Sequence, residues 1–293
     1  MIVEGNVMPG AGRLILIGGA EDKFNERVIL QRVVHACRAG RIAIIPTASE
    51  IPRELGGRYR RAFSDLGVTQ VDILDIRHSK EADLPPHLEV IQQADAVFFT
   101  GGDQVKLVEI LEGSNLLALI KTRHAEGMVV AGTSAGAAAA SDTMIFDGDD
   151  EGHSKGTIRH RAGFSFLKGI TVDSHFLVRC RISRLMQVIA SGLTMRGIGL
   201  AEDTAIDLES NGTFTVLGSG AVVLLSGEWL EHSNYNEVKK GEAFSVDGIR
   251  LSLLAPGARF DLSRWEVIVP LHSGSNLSAE GEDCSSPGGR ANE

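Results

Sequence analysis

Short runs that are apolar at every position alternate along the chain with longer stretches in which apolar residues recur every three to four positions. The runs at 14–17, 42–45, 71–74, 96–100 and 128–131 predict strands, and Gly or Pro ends most of them. The intervening segments 24–38, 53–66, 104–111 and 116–126 predict helices, the first with Val28, Ile29, Val33 and Val34 on a helical period. Strands that are apolar throughout and separated by helices form parallel sheets covered on both faces. In such sheets ligands bind beyond the carboxyl ends of the strands. Gly18-Gly19, Pro46-Thr47, Gly101-Gly102 and the segment 132–136 all fall at those ends, so four loops are expected on one rim.

Beyond residue 190 the texture changes to short strand-like runs at 198–200, 204–208, 213–216, 221–225 and 249–254, separated by Gly and Asn turns. These predict an antiparallel extension of the same domain. One α/β domain over 1–272 is expected, followed by a polar, Gly/Ser-rich tail over 273–293 that is expected to be disordered. The full length of 293 residues suffices for such a core. A net charge of −9 argues against nucleic acid as a partner, because phosphate binding needs a basic surface. Cys37, Cys180 and Cys284 form no metal-type cluster and no even-numbered framework, which suggests a reducing compartment. The N-terminus lacks a basic start followed by an apolar run, and no stretch approaches the length of a membrane span. A cytoplasmic protein without a membrane partner is therefore expected.

The chemistry concentrates in Gly132-Thr133-Ser134-Ala135-Gly136, a G-x-S-x-G sequence running out of a predicted strand. Such a sequence suits an abrupt strand-to-helix turn that lifts the serine to an exposed apex, with the next backbone N–H facing a developing oxyanion. The alternative is a tight turn in which Ser134 is only a helix cap. A serine nucleophile needs a base. His175 follows the strand-like segment 169–173 and precedes a predicted helix around 179–190, so it also falls at a strand's carboxyl end. His153 and His160 are second choices. An orienting carboxylate comes from Glu202, with its neighbour Asp203 as competitor. Amides of the segment 101–104 can complete an oxyanion hole, or Asp103 can simply cap a helix. Arg179, Arg181 and Arg184 form a cluster after His175 that suits carboxylates, or else a solvated helix face. On a helix, His175 and Arg179 would share a side.

Together the segments 12–22 (GRLILIGGAED), 42–49 (IAIIPTAS), 98–106 (FFTGGDQVK), 129–138 (VVAGTSAGAA), 173–185 (DSHFLVRCRISRL) and 197–205 (GIGLAEDTA) resemble the cyanophycinases, within the S51 family of serine peptidases. The resemblance covers roughly residues 10–270 in the same order. It implies a flavodoxin-like or class I glutamine-amidotransferase-like, mostly parallel sheet with helices on both faces. It further implies Ser134 as nucleophile, His175 as base and Glu202 as orienting acid, with Gly102 and Ala135 at the oxyanion positions. Asp103, Gln104, Asp173, Arg179, Arg181, Arg184 and Thr204 fall in segments that line the family's substrate groove. The implied substrate is cyanophycin, a poly-aspartate backbone with arginine on each β-carboxylate, released as β-aspartyl-arginine dipeptides. No metal or organic cofactor is implied, and a homodimer is. Ser174 stands where cyanophycinases often carry Gln, which keeps an aspartyl dipeptidase of the same family as an alternative.

Asp149, Asp150 and Glu151 are candidates for meeting substrate guanidinium groups. Two other classes compete: a binding module without hydrolysis, which the retained trio argues against, and a nucleotide-binding protein using Gly18-Gly19-Ala20, whose stretch lacks the G-x-G-x-x-G and Walker patterns.

Overall fold

A computed structural model describes residues 12–148 and 152–269. The expected tail, Asp149, Asp150, Glu151 and Cys284 lie outside the described residues. The chain opens β1 (Leu14–Ile17), α1 (Val28–Ala36), β2 (Ile42–Ile45), α2 (Pro52–Asp65) and β3 (Val71–Ile73). It continues through α3 (Ser79–Ala82), α4 (Pro85–Gln93), β4 (Ala96–Phe99), α5 (Gln104–Leu111), α6 (Asn115–Ala125), β5 (Val129–Thr133) and α7 (Ala135–Ala138). A hairpin of β6 (Thr143–Asp147) and β7 (Arg159–Ala162) leads to β8 (Ile170–Asp173), α8 (Ile182–Ala190), β9 (Arg196–Leu200), β10 (Thr204–Leu208), β11 (Thr213–Gly218) and β12 (Val222–Ser226). The last elements are β13 (His232–Ser233), β14 (Val246–Asp247), β15 (Arg250–Leu254), β16 (Arg259–Asp261) and β17 (Glu266–Val269).

The main sheet has nine strands in the order β17-β16-β11-β10-β1-β5-β4-β2-β3. From β1 to β3 every pair is parallel. From β1 to β17 every pair is antiparallel. The apolar runs build two cores at once, because successive side chains of a strand point to opposite faces. Leu14 and Leu16 of β1, Ala43 and Ile45 of β2, and Val97 and Phe99 of β4 join the core under α4 to α7. Ile15 and Ile17, Ile42 and Ile44, and Ala96 and Phe98 join the core under α1 and α2. A fully buried side chain of this kind contributes about 1.5–3 kcal/mol, and a one-residue slip of any strand would exchange its two faces.

The expected antiparallel extension divides in two. β10, β11, β16 and β17 do extend the main sheet, but β9 and β12 do not. They build a second, four-stranded sheet in the order β15-β12-β9-β8. In it β8 and β9 are parallel, and β12 and β15 are antiparallel to their neighbours. The amphipathic helix α8 covers this sheet through Leu185, Val188 and Ile189, which cluster with Phe176, Val223 and Leu225. Among the described residues, no helix is long and apolar enough to cross a membrane.

Candidate active site

Ser134 stands between the last residue of β5 and the first of α7, with φ 51° and ψ −107°. Positive φ is strained for a residue with a Cβ and costs on the order of 1–3 kcal/mol. The surroundings fix it. Its N–H donates to the Ile17 carbonyl at 2.9 Å, and its carbonyl accepts from Ala138 at 2.9 Å. A Cβ on Gly132 would fall 2.6 Å from the Gly136 backbone, and one on Gly136 would fall 2.6 Å from the Phe99 carbonyl oxygen. The two glycines are thus demanded by the closeness of strand and helix at the bend. The following helix is one turn, Ala135–Ala138, shorter than the alanine run 135–140 suggests.

The imidazole arrives from the second sheet. His175 follows β8 in a turn, with φ 50°, and its N–H donates to the Gly18 carbonyl at 2.8 Å. Its Nε2 lies 2.9 Å from Ser134 Oγ, and its Nδ1 lies 2.6 Å from Glu202 Oε1. An ionised carboxylate only accepts, so Nδ1 carries the proton and Nε2 is left to accept from the serine hydroxyl. Glu202 follows β9, the parallel neighbour of β8, which delivers ring and carboxylate side by side. Asp203, its competitor, is engaged elsewhere. Its carboxylate accepts from the Asp22 N–H at 3.0 Å and from Ser219 Oγ at 2.6 Å.

Gly101 lies against the serine, since a Cβ there would be 3.3 Å from Ser134 Cβ, and Gly102 follows it at φ 140°. The Ala135 N–H belongs to the first turn of α7, where amides have no partner within the helix. Asp103 caps α5, accepting from Val105 N–H at 2.8 Å and Lys106 N–H at 3.3 Å. Gln104 is half-buried and its Nε2 points to the Ile145 carbonyl at 3.3 Å.

The structure corrects part of the expected groove. Asp173 and Arg184 are buried at 2% and 3% exposure. Arg184 donates through Nε to Asp173 Oδ2 at 2.6 Å and through Nη2 to Asp173 Oδ1 at 2.5 Å, so the two side chains satisfy each other instead of facing a ligand. Ser174 is buried beside them. Thr204 is fully buried, with its hydroxyl donating to the Glu202 carbonyl at 2.9 Å and accepting from Gly220 N–H at 3.0 Å, which ties the turn that carries Glu202. Arg181 is half-buried and donates to the Ser174 carbonyl at 2.7 Å. Arg179 alone of the cluster is well exposed. The helix begins at Ile182, so His175 and Arg179 lie in a turn and do not share a helix face.

A pocket of about 380 Å³ opens beside Ser134 on the side of α2, with Glu21, Lys23, Phe24, Arg58 and Tyr59 in its wall. A larger hollow of about 450 Å³ between α1 and Leu66 shares no residue with it. Glu21 is buried, and its carboxylate accepts from the Tyr59 hydroxyl and from Thr133 Oγ1 at 2.7 Å and is ion-paired with Lys23 Nζ at 3.1 Å. Burial, and then the adjoining Glu21 carboxylate, push the Tyr59 phenol well above its usual value, so it remains a donor. Glu21 falls in the segment 12–22 and Thr133 in the G-x-S-x-G sequence, whereas no motif marks Lys23, Phe24, Arg58 or Tyr59. The available signal was an acid directly after Gly-Gly at a strand's carboxyl end. Among the described residues, no group of three or more His, Cys, Asp or Glu side chains is placed to hold a metal ion.

Comparison with known proteins follows the same pattern. The profile of peptidase family S51 matches residues 14–216. A cyanophycinase of Trichormus variabilis is 35% identical over 263 residues, covering 88% of this chain and 88% of its own. A cyanophycinase of Geminocystis herdmanii is 33% identical over 253 residues, covering 85% and 93%. Among solved structures, a peptidase from an acI-B1 Actinobacterium superposes with a TM-score of 0.65 at 18% identity, covering 87% of this chain and 98% of its own, which supports the fold.

Proposed function

The chain belongs to peptidase family S51, and on that footing we propose that it is a serine-type exopeptidase that cleaves cyanophycin to β-aspartyl-arginine dipeptides through an acyl-enzyme. The observation that carries this reading is the unbroken line from Ser134 Oγ to His175 Nε2 at 2.9 Å and from His175 Nδ1 to Glu202 Oε1 at 2.6 Å, held on a strained bend.

In the proposed mechanism His175 takes the hydroxyl proton as Ser134 Oγ attacks the carbonyl of an aspartyl residue. Glu202 keeps the proton of Nδ1 in place and stabilises the imidazolium. The N–H groups of Gly102 and Ala135 receive the negative oxygen of the tetrahedral intermediate. His175 then gives its proton to the departing amine. Water hydrolyses the ester, with the same ring as base. Of Arg179, Arg181 and Arg184, Arg179 is the one exposed enough to meet a substrate carboxylate directly. An aspartyl dipeptidase of the same family is the second reading, because Ser174 stands where cyanophycinases often carry Gln. The active unit is expected to be a homodimer.

The test is incubation with purified cyanophycin and with α- and β-aspartyl dipeptides, with products identified by mass, alongside labelling by a fluorophosphonate. β-Aspartyl-arginine release and labelling at Ser134, both lost in Ser134→Ala, are expected. Full activity of Ser134→Ala would end the nucleophile assignment.

A further inference from the structure

The wall of the pocket beside Ser134 is uneven in what it has left to offer. The Glu21 carboxylate accepts from Tyr59 and Thr133 and is ion-paired with Lys23. It lies 3% exposed, so little of it is left to face a ligand. The ammonium of Lys23 is the reverse case. Its Nζ donates to the Glu21 backbone oxygen at 3.1 Å and is ion-paired with Oε1 at 3.1 Å, which leaves donor capacity for a further partner. The Tyr59 ring lies 5.0 Å from Nζ, which favours the cation. The Lys23 side chain keeps 18% of its exposure, so the head group is held in one place without being sealed. Arg58, the other cation of the wall, is more than half exposed and paired with Glu54 at 2.5 Å.

The loop bearing Lys23 is itself fixed. Asp22 Oδ1 accepts from the N–H groups of Phe24 and Asn25 at 2.9 Å each, and its Oδ2 accepts from that of Arg27 at 2.9 Å. Its own N–H donates to Asp203, next to Glu202 in the chain. The cation is therefore registered to the carboxylate end of the Ser134–His175–Glu202 line. Beside it the Phe24 ring is 84% exposed and gives the mouth an apolar edge.

We propose that this pocket is a carboxylate subsite anchored by Lys23, which receives a free carboxylate of the peptide bound across Ser134. The proposal rests on the peptidase reading and adds to it the group that is read on the α2 side. Lys23 selects peptides with a carboxylate near the scissile bond and discriminates against their amides. Lys23 takes no part in proton transfer and is a specificity residue.

Calorimetric titration of the Ser134→Ala protein tests this without turnover. The ligands are β-aspartyl-arginine and its two monoamides, each with a different carboxylate replaced by carboxamide. One amide is expected to bind at least about tenfold more weakly than the dipeptide, the loss of one charge-assisted hydrogen bond. Adding Lys23→Met is expected to abolish that difference, Lys23→Arg to keep most of it, and Arg58→Ala to leave it in place. Lys23→Arg also keeps a cation on Glu21, so it serves where the methionine variant fails to fold. An amide penalty unchanged by Lys23→Met, a penalty that disappears with Arg58→Ala, or no binding of any ligand at millimolar concentration would overturn the proposal. A Lys23-dependent preference in a protein whose Ser134 resists fluorophosphonate would instead remove the peptidase reading and leave the subsite standing.

Discussion

Arg184 meets Asp173 edge to edge, with Nε 2.6 Å from Oδ2 and Nη2 2.5 Å from Oδ1, and each side chain is 3% exposed. Asp173 Oδ1 also accepts from the Ser174 N–H at 2.9 Å, immediately before the histidine, so the pair fixes the turn from beneath. Arg184→Met leaves the buried Asp173 carboxylate only the longer contact from Arg181 Nη1 at 3.3 Å and is expected to destabilise the fold by up to about 3–5 kcal/mol. Asp173→Leu together with Arg184→Met is expected to cost less than either change alone. Urea unfolding of the three variants measures this. A single variant with a wild-type midpoint and a raised KM would return the pair to the substrate groove.

Glu202 is 42% exposed and holds the ring proton on Nδ1. Glu202→Gln is therefore expected to leave the unfolding midpoint in place while kcat falls by about 10² to 10⁴, with KM little changed. Steady-state kinetics on a β-aspartyl dipeptide separates the two parameters.

Gly19, at φ 99°, is packed so closely on the imidazole that an added Cβ would fall 2.5 Å from His175 Cε1. Gly19→Ala is expected to displace the ring and cost about 10²-fold in the rate of fluorophosphonate labelling. Gly57 in α2 has open space around its added Cβ. Gly57→Ala should label at the wild-type rate and gain up to about 1 kcal/mol of helix stability.

His124 is buried, its Nδ1 lying 3.0 Å from the Met128 carbonyl. Burial holds its pKa below the usual 6.5, with the Met128 carbonyl acting in the opposite sense. Below 6.5 the unfolded chain takes up a proton that the folded ring resists, so stability is lost as pH falls from 6.5 toward the depressed value, and above 6.5 the group contributes no slope. Thermal unfolding from pH 7.5 to 5 is expected to show this decline, and His124→Gln to flatten it.

The sequence made the first half of the fold legible because its strands are apolar on both faces and its helices are periodic. β1, β2 and α5 occupy the expected residues, and α6 is displaced by one position at each end. The one-turn helix at 79–82 and the Pro-led helix at 85–93 went unread, since both are short and carry few apolar residues. The second sheet was hidden for a different reason. β9 and β12 pair with each other while β10 pairs with β1 and β11 with β10, a choice made by tertiary packing that local pattern does not encode. At the site, Ser134, His175 and Glu202 could be named because each follows a strand. Asp173, Arg184 and Thr204 fall in segments that the family resemblance assigns to the groove, and a charge or hydroxyl there looks the same in sequence whether it faces a ligand or another side chain.

The serine belongs to the nine-stranded sheet, and the ring and acid to the four-stranded one. In chain order the bend comes first, at 134, and the base and acid come only at 175 and 202. On the proposed mechanism, Ser134 is expected to gain reactivity only once residue 202 has joined it. Fragments released by premature termination or by cleavage between 140 and 170 are expected to be harmless to any peptide bond around them, and labelling of Ser134 regained on mixing the two pieces would report on their reassembly, the pairing of β1 with β10 included.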